Sequence, residues 1–457
     1  MIRHLLAATA LLAPVPTLAQ SAQETLDARY DRALAAGYKA LMLCGGIASS
    51  GPSSQRRSEA SVIDYELTGI YPALGPIVRE LPHRVERGED GFLDYVAADW
   101  AEDMPPRIAL HKGAEQGCAL LPIGAGAPDR ETPSAMRIDR VIPPGTPRRQ
   151  PSQTTGRHAT LAATALGERY GAGTRTTAVL VQRDGRILGE AFAPGFDGDL
   201  PQRTWSVAKS LAATLIGAAV QRGEADVAAS AGLGLADGDP RRAITVDHLL
   251  RMASGRYSDT VGNRTDPLYF GGATVDERAA TWPLIHPPGT TFRYANNDTL
   301  MAVKTIEDTF DDAPPAGLFE RLGMYQTIAE TDWQGNYILS SQVWASARDL
   351  AKLGQLYLDD GVLPGGERVL PDNWLEYVSS PSGPQPTGEF GYGAGFWLFD
   401  KSDGIPPDTI AMMGNRGQYV VIVPSQKVLI VRRGEDPTGA RFDIAAFTRD
   451  VLATLRK

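Results

Sequence analysis

The sequence predicts an α/β (α+β) protein, in which helices flank an antiparallel sheet and a helical lobe interrupts it. Three observations predict this class. Apolar and β-branched runs flank Asp184-Gly185, a pair typical of a tight hairpin turn. Two more such runs follow Gln418 and read as a second hairpin. Between them, residues 207–220 form a helix too apolar to be exposed on every side. The lobe is expected over residues 225–370.

Residues 1–19 have the pattern of a signal peptide. A charged start at Arg3-His4 precedes a short apolar run, and Thr17-Leu18-Ala19 fits a signal-peptidase site. The run is too short to span a bilayer as a lasting anchor. We therefore expect a periplasmic or secreted protein with no stable membrane anchor.

Residues 20–122 predict a small N-terminal α+β domain. Apolar residues recur there at helical spacing, and three later stretches, 91–96, 107–110 and 118–121, read as short strands. Residues 123–155 are rich in proline and are expected to form a linker or wrapping arm. Residues 156–457 are expected to form the main domain, beginning with a helix near 158–169.

The chain has only two cysteines, Cys44 and Cys118. An oxidising compartment would favour a disulfide between them. Two buried free thiols are the alternative.

Ser206 and Lys209 lie at the start of the apolar helix. Residues three apart on a helix face the same way, so the lysine amine can lie beside the serine hydroxyl. Burial and the positive helix N-terminus both disfavour the ammonium form and lower the pKa of Lys209. A neutral lysine could accept the serine proton and activate the hydroxyl as a nucleophile. The alternative is a solvated helical turn in which the spacing arises by chance.

Two further segments could complete a site. Tyr294-Ala295-Asn296 reads as a loop, where the phenol could relay a proton and the lysine charge would favour its anion. Asn296 could hold Lys209 or a substrate carbonyl. Downstream, a glycine-bearing strand edge over residues 413–419 would allow close backbone approach to a ligand. The alternative for each segment, taken alone, is ordinary packing.

In this order, the motifs resemble the serine β-lactamase and penicillin-binding-protein superfamily, in its class C β-lactamase-related branch. The chain looks most like serine hydrolases grouped with 6-aminohexanoate-dimer hydrolase, over roughly residues 155–457. Further matching segments are 247–255, 288–290, 346–354 and 391–397.

The resemblance implies a β-lactamase/transpeptidase-like fold and a role for each motif residue. Ser206 would be the nucleophile, Lys209 its base and Tyr294 the proton relay, with Asn296 as the amide of the second motif. Gly417 would be the glycine of the third motif. The backbone N–H groups of Ser206 and Gln418 would form the oxyanion hole.

Asn415 departs from the pattern of this branch, which more often carries lysine or histidine there. Without that cation, recognition of a substrate carboxylate is in doubt, so a neutral ester or linear amide is favoured over a β-lactam. Arg416 is expected at the surface, because successive strand residues face opposite ways.

The formal net charge of −9 argues against nucleic acid as a partner. The six histidines have no zinc-pair spacing, so no metal or cofactor is expected. The expected partner is a small-molecule or short peptide-like acyl substrate, and the sequence does not indicate the oligomeric state. The leading hypothesis is a secreted serine hydrolase that cleaves a 6-aminohexanoate-oligomer-like amide or a short acyl ester. The alternatives are a D-alanyl carboxypeptidase or β-lactamase, and a catalytically silent peptidoglycan-binding or sensor protein.

Overall fold

The structure is a computed structural model that describes residues 18–50, 57–89, 91–127, 155–258 and 266–456. The expected signal peptide, apart from its last two positions, and most of the proline-rich segment lie outside these residues. Within them, no helix combines the length and apolar character that a membrane crossing requires.

The N-terminal region, residues 18–127, packs one long helix against a four-stranded antiparallel sheet. Leucines and tyrosines at helical spacing predict this helix, whose C-terminal half is buried. The three predicted strands are confirmed, and a fourth precedes them. The elements are α1 (Leu18–Ala48), α2 (Glu59–Tyr65), α3 (Gly75–Glu80), β1 (His83–Arg87), β2 (Leu93–Ala98), β3 (Arg107–His111) and β4 (Cys118–Leu120).

The rest of the chain begins with a helix and two strands, continues through the buried apolar helix after Ser206 and the lobe, and returns to the sheet. Its first elements are α4 (Arg157–Thr164), β5 (Thr176–Arg183), β6 (Arg186–Phe192), β7 (Gln202–Arg203) and α5 (Val207–Gln221). The lobe carries α6 (Val246–Leu250), α7 (Asp266–Tyr269), α8 (Val275–Arg278), α9 (Asn296–Lys304), α10 (Pro315–Arg321), β8 (Thr327–Ala329), β9 (Val343–Ala345) and α11 (Ala347–Leu358). The last elements are α12 (Trp374–Ser379), β10 (Gly391–Tyr392), β11 (Trp397–Leu398), β12 (Ile410–Gly414), β13 (Gln418–Val423), β14 (Val428–Gly434) and α13 (Ile444–Leu455).

Seven strands form the main antiparallel sheet, in the order β10-β11-β12-β13-β14-β5-β6. Both predicted hairpins are confirmed as β5–β6 and β13–β14. Side chains alternate between the two sheet faces, as the period of a strand requires. Val420 and Ile422 join the core that contains α5, whereas Val421 and Val423 join the core that contains α4 and α13. The sheet is therefore covered by helices on both faces.

The larger of these cores runs without interruption from α1 through α5 and the lobe. The N-terminal region thus shares its hydrophobic core with the rest of the protein. Since packing marks no boundary between them, the predicted domain limits stay a prediction.

A disulfide joins Cys44 to Cys118, with the two Cα atoms 6.0 Å apart and 74 residues apart in sequence. It links the end of α1 to β4. The predicted pairing is confirmed, and such a bond suits an oxidising compartment.

Candidate active site

Ser206 lies at the N-cap of α5, directly after a sharp turn in the backbone. Trp205 adopts a φ of +51°, a left-handed conformation that is costly for a bulky side chain. The Arg203 guanidinium stacks 3.8 Å from the Trp205 ring centroid and holds this turn from one side. The half-buried Ser206 makes no capping hydrogen bond with its side chain. Its hydroxyl is therefore available for other partners.

The structure brings Lys209 and Asn296 to this hydroxyl. Lys209 Nζ is 3.1 Å from Ser206 Oγ, and it also donates to Asn296 Oδ1 at 2.5 Å and to the Ser340 carbonyl at 2.8 Å. A neutral amine has two protons and one lone pair. Because two of its three neighbours are fixed acceptors, the lone pair of a neutral Lys209 faces the serine hydroxyl.

Burial favours this neutral form. Lys209 is only 2% exposed, and the loss of hydration lowers the pKa of its amine to about 7. The predicted direction of the shift and burial as its cause are both confirmed.

Tyr294 lies on the other side of the site, one residue before the N-cap of α9. Lys209 Nζ is 5.0 Å from its ring centroid, and the ring packs against Tyr392 and Trp397. Burial raises the pKa of Tyr294, and its hydrogen bond with Ser206 only partly opposes that effect. The expectation that the lysine charge would favour the phenolate is therefore wrong. Tyr294 keeps its proton at neutral pH and can donate it.

The structure separates the residues that were predicted in the third motif. Gly414 ends β12, where an added Cβ would lie 3.1 Å from the Ser206 amide nitrogen. Asn415 follows it and lines the cavity beside Ser206. This stretch of backbone, and not the next strand, approaches Ser206.

Gly417 and Gln418 are not brought to the cavity. Gly417 packs against the side chain of Arg432, which donates to its carbonyl at 2.8 Å. Gln418 begins β13, is fully buried, and accepts a hydrogen bond from Arg433 Nε at 2.7 Å. This geometry corrects the prediction for the third motif, because the hairpin turn over residues 415–417 carries the chain away from Ser206.

Arg416 also differs from expectation. Its φ of +59° turns the side chain inward, where it is 4% exposed and bonds Glu435 at 2.9 Å. Arg416 is thus a buried residue of the interior and does not supply the missing cation to the cavity.

The cavity over Ser206 has a volume of about 420 Å³, and about half of its lining residues are aromatic. The sequence does not indicate most of these aromatic residues as lining residues, because they come from segments far apart in the chain. Among the described lining residues, the only cation is Arg441, which is 71% exposed at the rim and paired with Glu389. The aromatic lining residues are Tyr71, Trp205, Tyr269, Tyr294, Phe390, Trp397 and Tyr419.

Ser340 and Tyr269 were also missed. The Ser340 carbonyl accepts from Lys209, and its hydroxyl lies 2.5 Å from Tyr269 Oη. No sequence pattern marks a backbone carbonyl as the partner of a lysine, so this contact is visible only in the fold.

A Ser–Lys pair at the start of a buried helix, beside the end of strand β12 in a helix-covered antiparallel sheet, defines the class as a serine hydrolase of the β-lactamase type. The profile of the beta-lactamase family matches residues 162–453. The chain belongs to this family, as the motifs of the sequence indicated.

Two curated proteins are similar to this chain over about half of its length. It is 25% identical to the 6-aminohexanoate-dimer hydrolase of Paenarthrobacter ureafaciens over 299 residues, which cover 58% of this chain and 74% of that protein. It is 27% identical to penicillin-binding protein 4 of Amycolatopsis lactamdurans over 270 residues, which cover 49% and 69%.

Solved structures show the same fold. A protein from Bacillus anthracis, assigned as a 6-aminohexanoate-dimer hydrolase, aligns with a TM-score of 0.52 and 21% identity, covering 61% of this chain and 78% of its own. A protein from Bacteroides dorei, assigned as a beta-lactamase, aligns with a TM-score of 0.54 and 19% identity, covering 65% and 98%. At these identities the likeness concerns the fold alone.

Proposed function

We propose that this beta-lactamase-family serine hydrolase cleaves neutral esters or linear amides through an acyl-enzyme on Ser206. The observation that carries the proposal is the three-way coordination of Lys209 Nζ by Ser206, Asn296 and the Ser340 carbonyl. This arrangement suits a base that removes the serine proton.

The reaction proceeds in two steps. Ser206 Oγ attacks the carbonyl carbon as its proton passes to Lys209, and the C–O or C–N bond of the substrate then breaks. The neutral Tyr294 phenol gives its proton to the leaving group and recovers one from the Lys209 ammonium, which leaves the Lys209 amine neutral again. Water then attacks the acyl-enzyme with Lys209 again as the base, which releases the carboxylic acid and restores the serine hydroxyl.

The oxyanion requires two donors beside Ser206. We assign them to the backbone N–H groups of Ser206 and Asn415. The close approach of Gly414 to the Ser206 amide supports this assignment, because Asn415 is the next residue along and lines the cavity. Losing one such donor typically costs about 3 kcal/mol of transition-state stabilisation.

A neutral substrate is favoured because the aromatic lining offers few charges for a carboxylate. Among the described lining residues the only cation is Arg441 at the rim, which already pairs with Glu389. The nearby amine of Lys209 lies behind this lining, and its pKa is lowered to about 7. The name of the curated 6-aminohexanoate-dimer hydrolase makes linear amides natural candidates. The name of the curated penicillin-binding protein keeps β-lactams as the second candidate.

The predicted signal peptide and the disulfide together support a periplasmic or secreted location.

A substrate panel tests this function. Wild-type protein is expected to hydrolyse p-nitrophenyl esters or short linear amides faster than a chromogenic β-lactam, and Ser206→Ala is expected to abolish turnover while the circular dichroism spectrum is unchanged. Ser425→Ala, on the β13–β14 turn, is the matched serine control. Turnover that persists in Ser206→Ala would refute the assignment.

A further inference from the structure

Tyr71 connects the N-terminal region to the substrate cavity. The family profile begins only at residue 162, so residues 18–127 lie outside it. Nevertheless, Tyr71 lines the same cavity as Ser206 and Tyr294. A wall of the cavity is therefore built from a segment that the family match does not include.

The segment that leads to Tyr71 is fixed to the loop at the end of β12. Arg416, the residue after Asn415, donates to the carbonyls of Tyr65 and Thr68, each at 2.7 Å. The Thr438 hydroxyl donates to the Ile70 carbonyl, also at 2.7 Å. Backbone carbonyls of the N-terminal segment thus accept hydrogen bonds from the Arg416 and Thr438 side chains, which lie within the part of the chain that the family profile matches. These hydrogen bonds fix the position of residues 65–70, and so of Tyr71, relative to the cavity.

The Tyr71 ring itself is held by other rings. Its centroid is 5.6 Å from that of Tyr38 on α1 and 5.0 Å from that of Phe270, both in edge-to-face geometry. Phe270 directly follows Tyr269, which also lines the cavity. The Tyr71 side chain therefore has a fixed place in the wall.

The N-terminal region supports that neighbouring wall as well. Arg107 Nη1 donates to the Ala33 carbonyl at 2.8 Å and to the Phe270 carbonyl at 3.1 Å. Gly37 on α1 packs so closely on the Phe270 carbonyl that a side chain there would collide with it. Helix α1 and strand β3 thereby position the backbone that carries Tyr269.

We infer that Tyr71 is a specificity-determining residue, through which the N-terminal region limits the size of the apolar group that the site accepts beside the scissile bond. The inference rests on the proposed hydrolase function and adds to it the substrate class: neutral acyl compounds with a compact alkyl or aryl group that packs among aromatic rings. Truncating Tyr71 removes one such ring and lengthens the cavity.

The test compares substrate-size profiles. kcat/KM is measured for p-nitrophenyl acetate, butyrate, hexanoate and octanoate, and for phenyl and 2-naphthyl acetate, with wild type, Tyr71→Ala and Tyr71→Leu. A change in fit of one or two methylenes changes kcat/KM by about tenfold or more. For each series we compare kcat/KM for the largest substrate with kcat/KM for the smallest one. We expect this ratio to rise about tenfold in both variants, either in the acyl series (acetate to octanoate) or in the alcohol series (phenyl to 2-naphthyl acetate).

Two controls accompany the variants. Tyr71→Phe retains the ring and is expected to keep the wild-type ratio. Leu26→Ala changes a residue of α1 that is 60% exposed and is also expected to keep it. Labelling of Ser206 by a fluorophosphonate shows that each variant has an assembled site.

The outcomes are distinguishable. If wild type turns over the esters and both Tyr71 variants label normally but keep the wild-type ratio in both series, the inference is overturned while the hydrolase function stands. If wild type neither labels nor turns over any ester, the proposed function fails and this inference falls with it.

Discussion

Lys209 is the residue whose protonation controls the proposed chemistry. Two acceptors hold two of its protons, so acylation requires that the third be absent and the lone pair face Ser206. Burial, the largest influence on this amine, places its pKa at about 7. A base is active when deprotonated, so activity is lost as the pH falls below that value.

The pH dependence of kcat/KM tests this state. We expect a rise of about tenfold per pH unit below pH 7 and a plateau above it, as for a single catalytic base. Lys209→Arg should be inactive at every pH, because a guanidinium does not deprotonate. Lys401→Ala, at an exposed position, should keep the wild-type profile. A profile that is flat from pH 5 to 9 would exclude Lys209 as the base.

Tyr294 is expected to act on the leaving group. Burial raises the pKa of its phenol, so it carries the proton that an amine or alkoxide needs on departure. Tyr294→Phe should lower kcat by about 10²–10⁴-fold for amides and alkyl esters, the usual range for a general acid. The loss should be much smaller for p-nitrophenyl esters, whose leaving group departs as a stable anion. Equal losses on both substrates would show that Tyr294 does not protonate the leaving group.

Among the secondary-structure elements, α1 and β4 are covalently joined by the disulfide between Cys44 and Cys118. It closes a loop of 74 residues, which in the chain-entropy model stabilises a fold by about 4 kcal/mol. The double variant Cys44→Ala/Cys118→Ala should lose roughly that amount of unfolding free energy in urea. Dithiothreitol should destabilise wild type and leave the double variant unchanged. Equal unfolding midpoints for the two proteins would contradict a stabilising cross-link.

Elements with local signals could be predicted from the sequence. The hairpin at Asp184-Gly185 and the helix after Ser206 depend on turn chemistry and on apolar periodicity, both of which lie within a short window. Strand β1 carries no buried side chain, so its sequence lacks the apolar pattern that marks the other three strands of its sheet. It was accordingly missed.

The site shows the same division. The sequence could identify Ser206 and Lys209, because they are three residues apart at the start of a helix. It could identify Tyr294, because this residue lies two positions before Asn296 in the second motif. The approach of Gly414 to Ser206 was not identifiable, since it depends on how β12 meets α5 in three dimensions. The assignment of an oxyanion-hole N–H to Gln418 failed for this reason. The end of β12 and the start of β13 look alike in sequence pattern, and a three-residue turn separates them.

At the scale of the whole molecule, the site is assembled from the entire chain. The proposed nucleophile and base lie at the start of α5, Tyr294 lies in the lobe, Asn415 follows β12, and Tyr71 comes from the N-terminal region. A continuous hydrophobic core joins these parts. We therefore expect Ser206 to react with a fluorophosphonate only when the complete protein is folded.

The intact mass of the folded protein after exposure to a fluorophosphonate tests most directly whether Ser206 is an activated nucleophile. We expect a single adduct that maps to Ser206, is absent from Ser206→Ala, and forms far more slowly in Lys209→Ala. A folded wild-type protein that gains no adduct, or an adduct that persists in Ser206→Ala, would contradict the claim that Ser206 is an activated nucleophile.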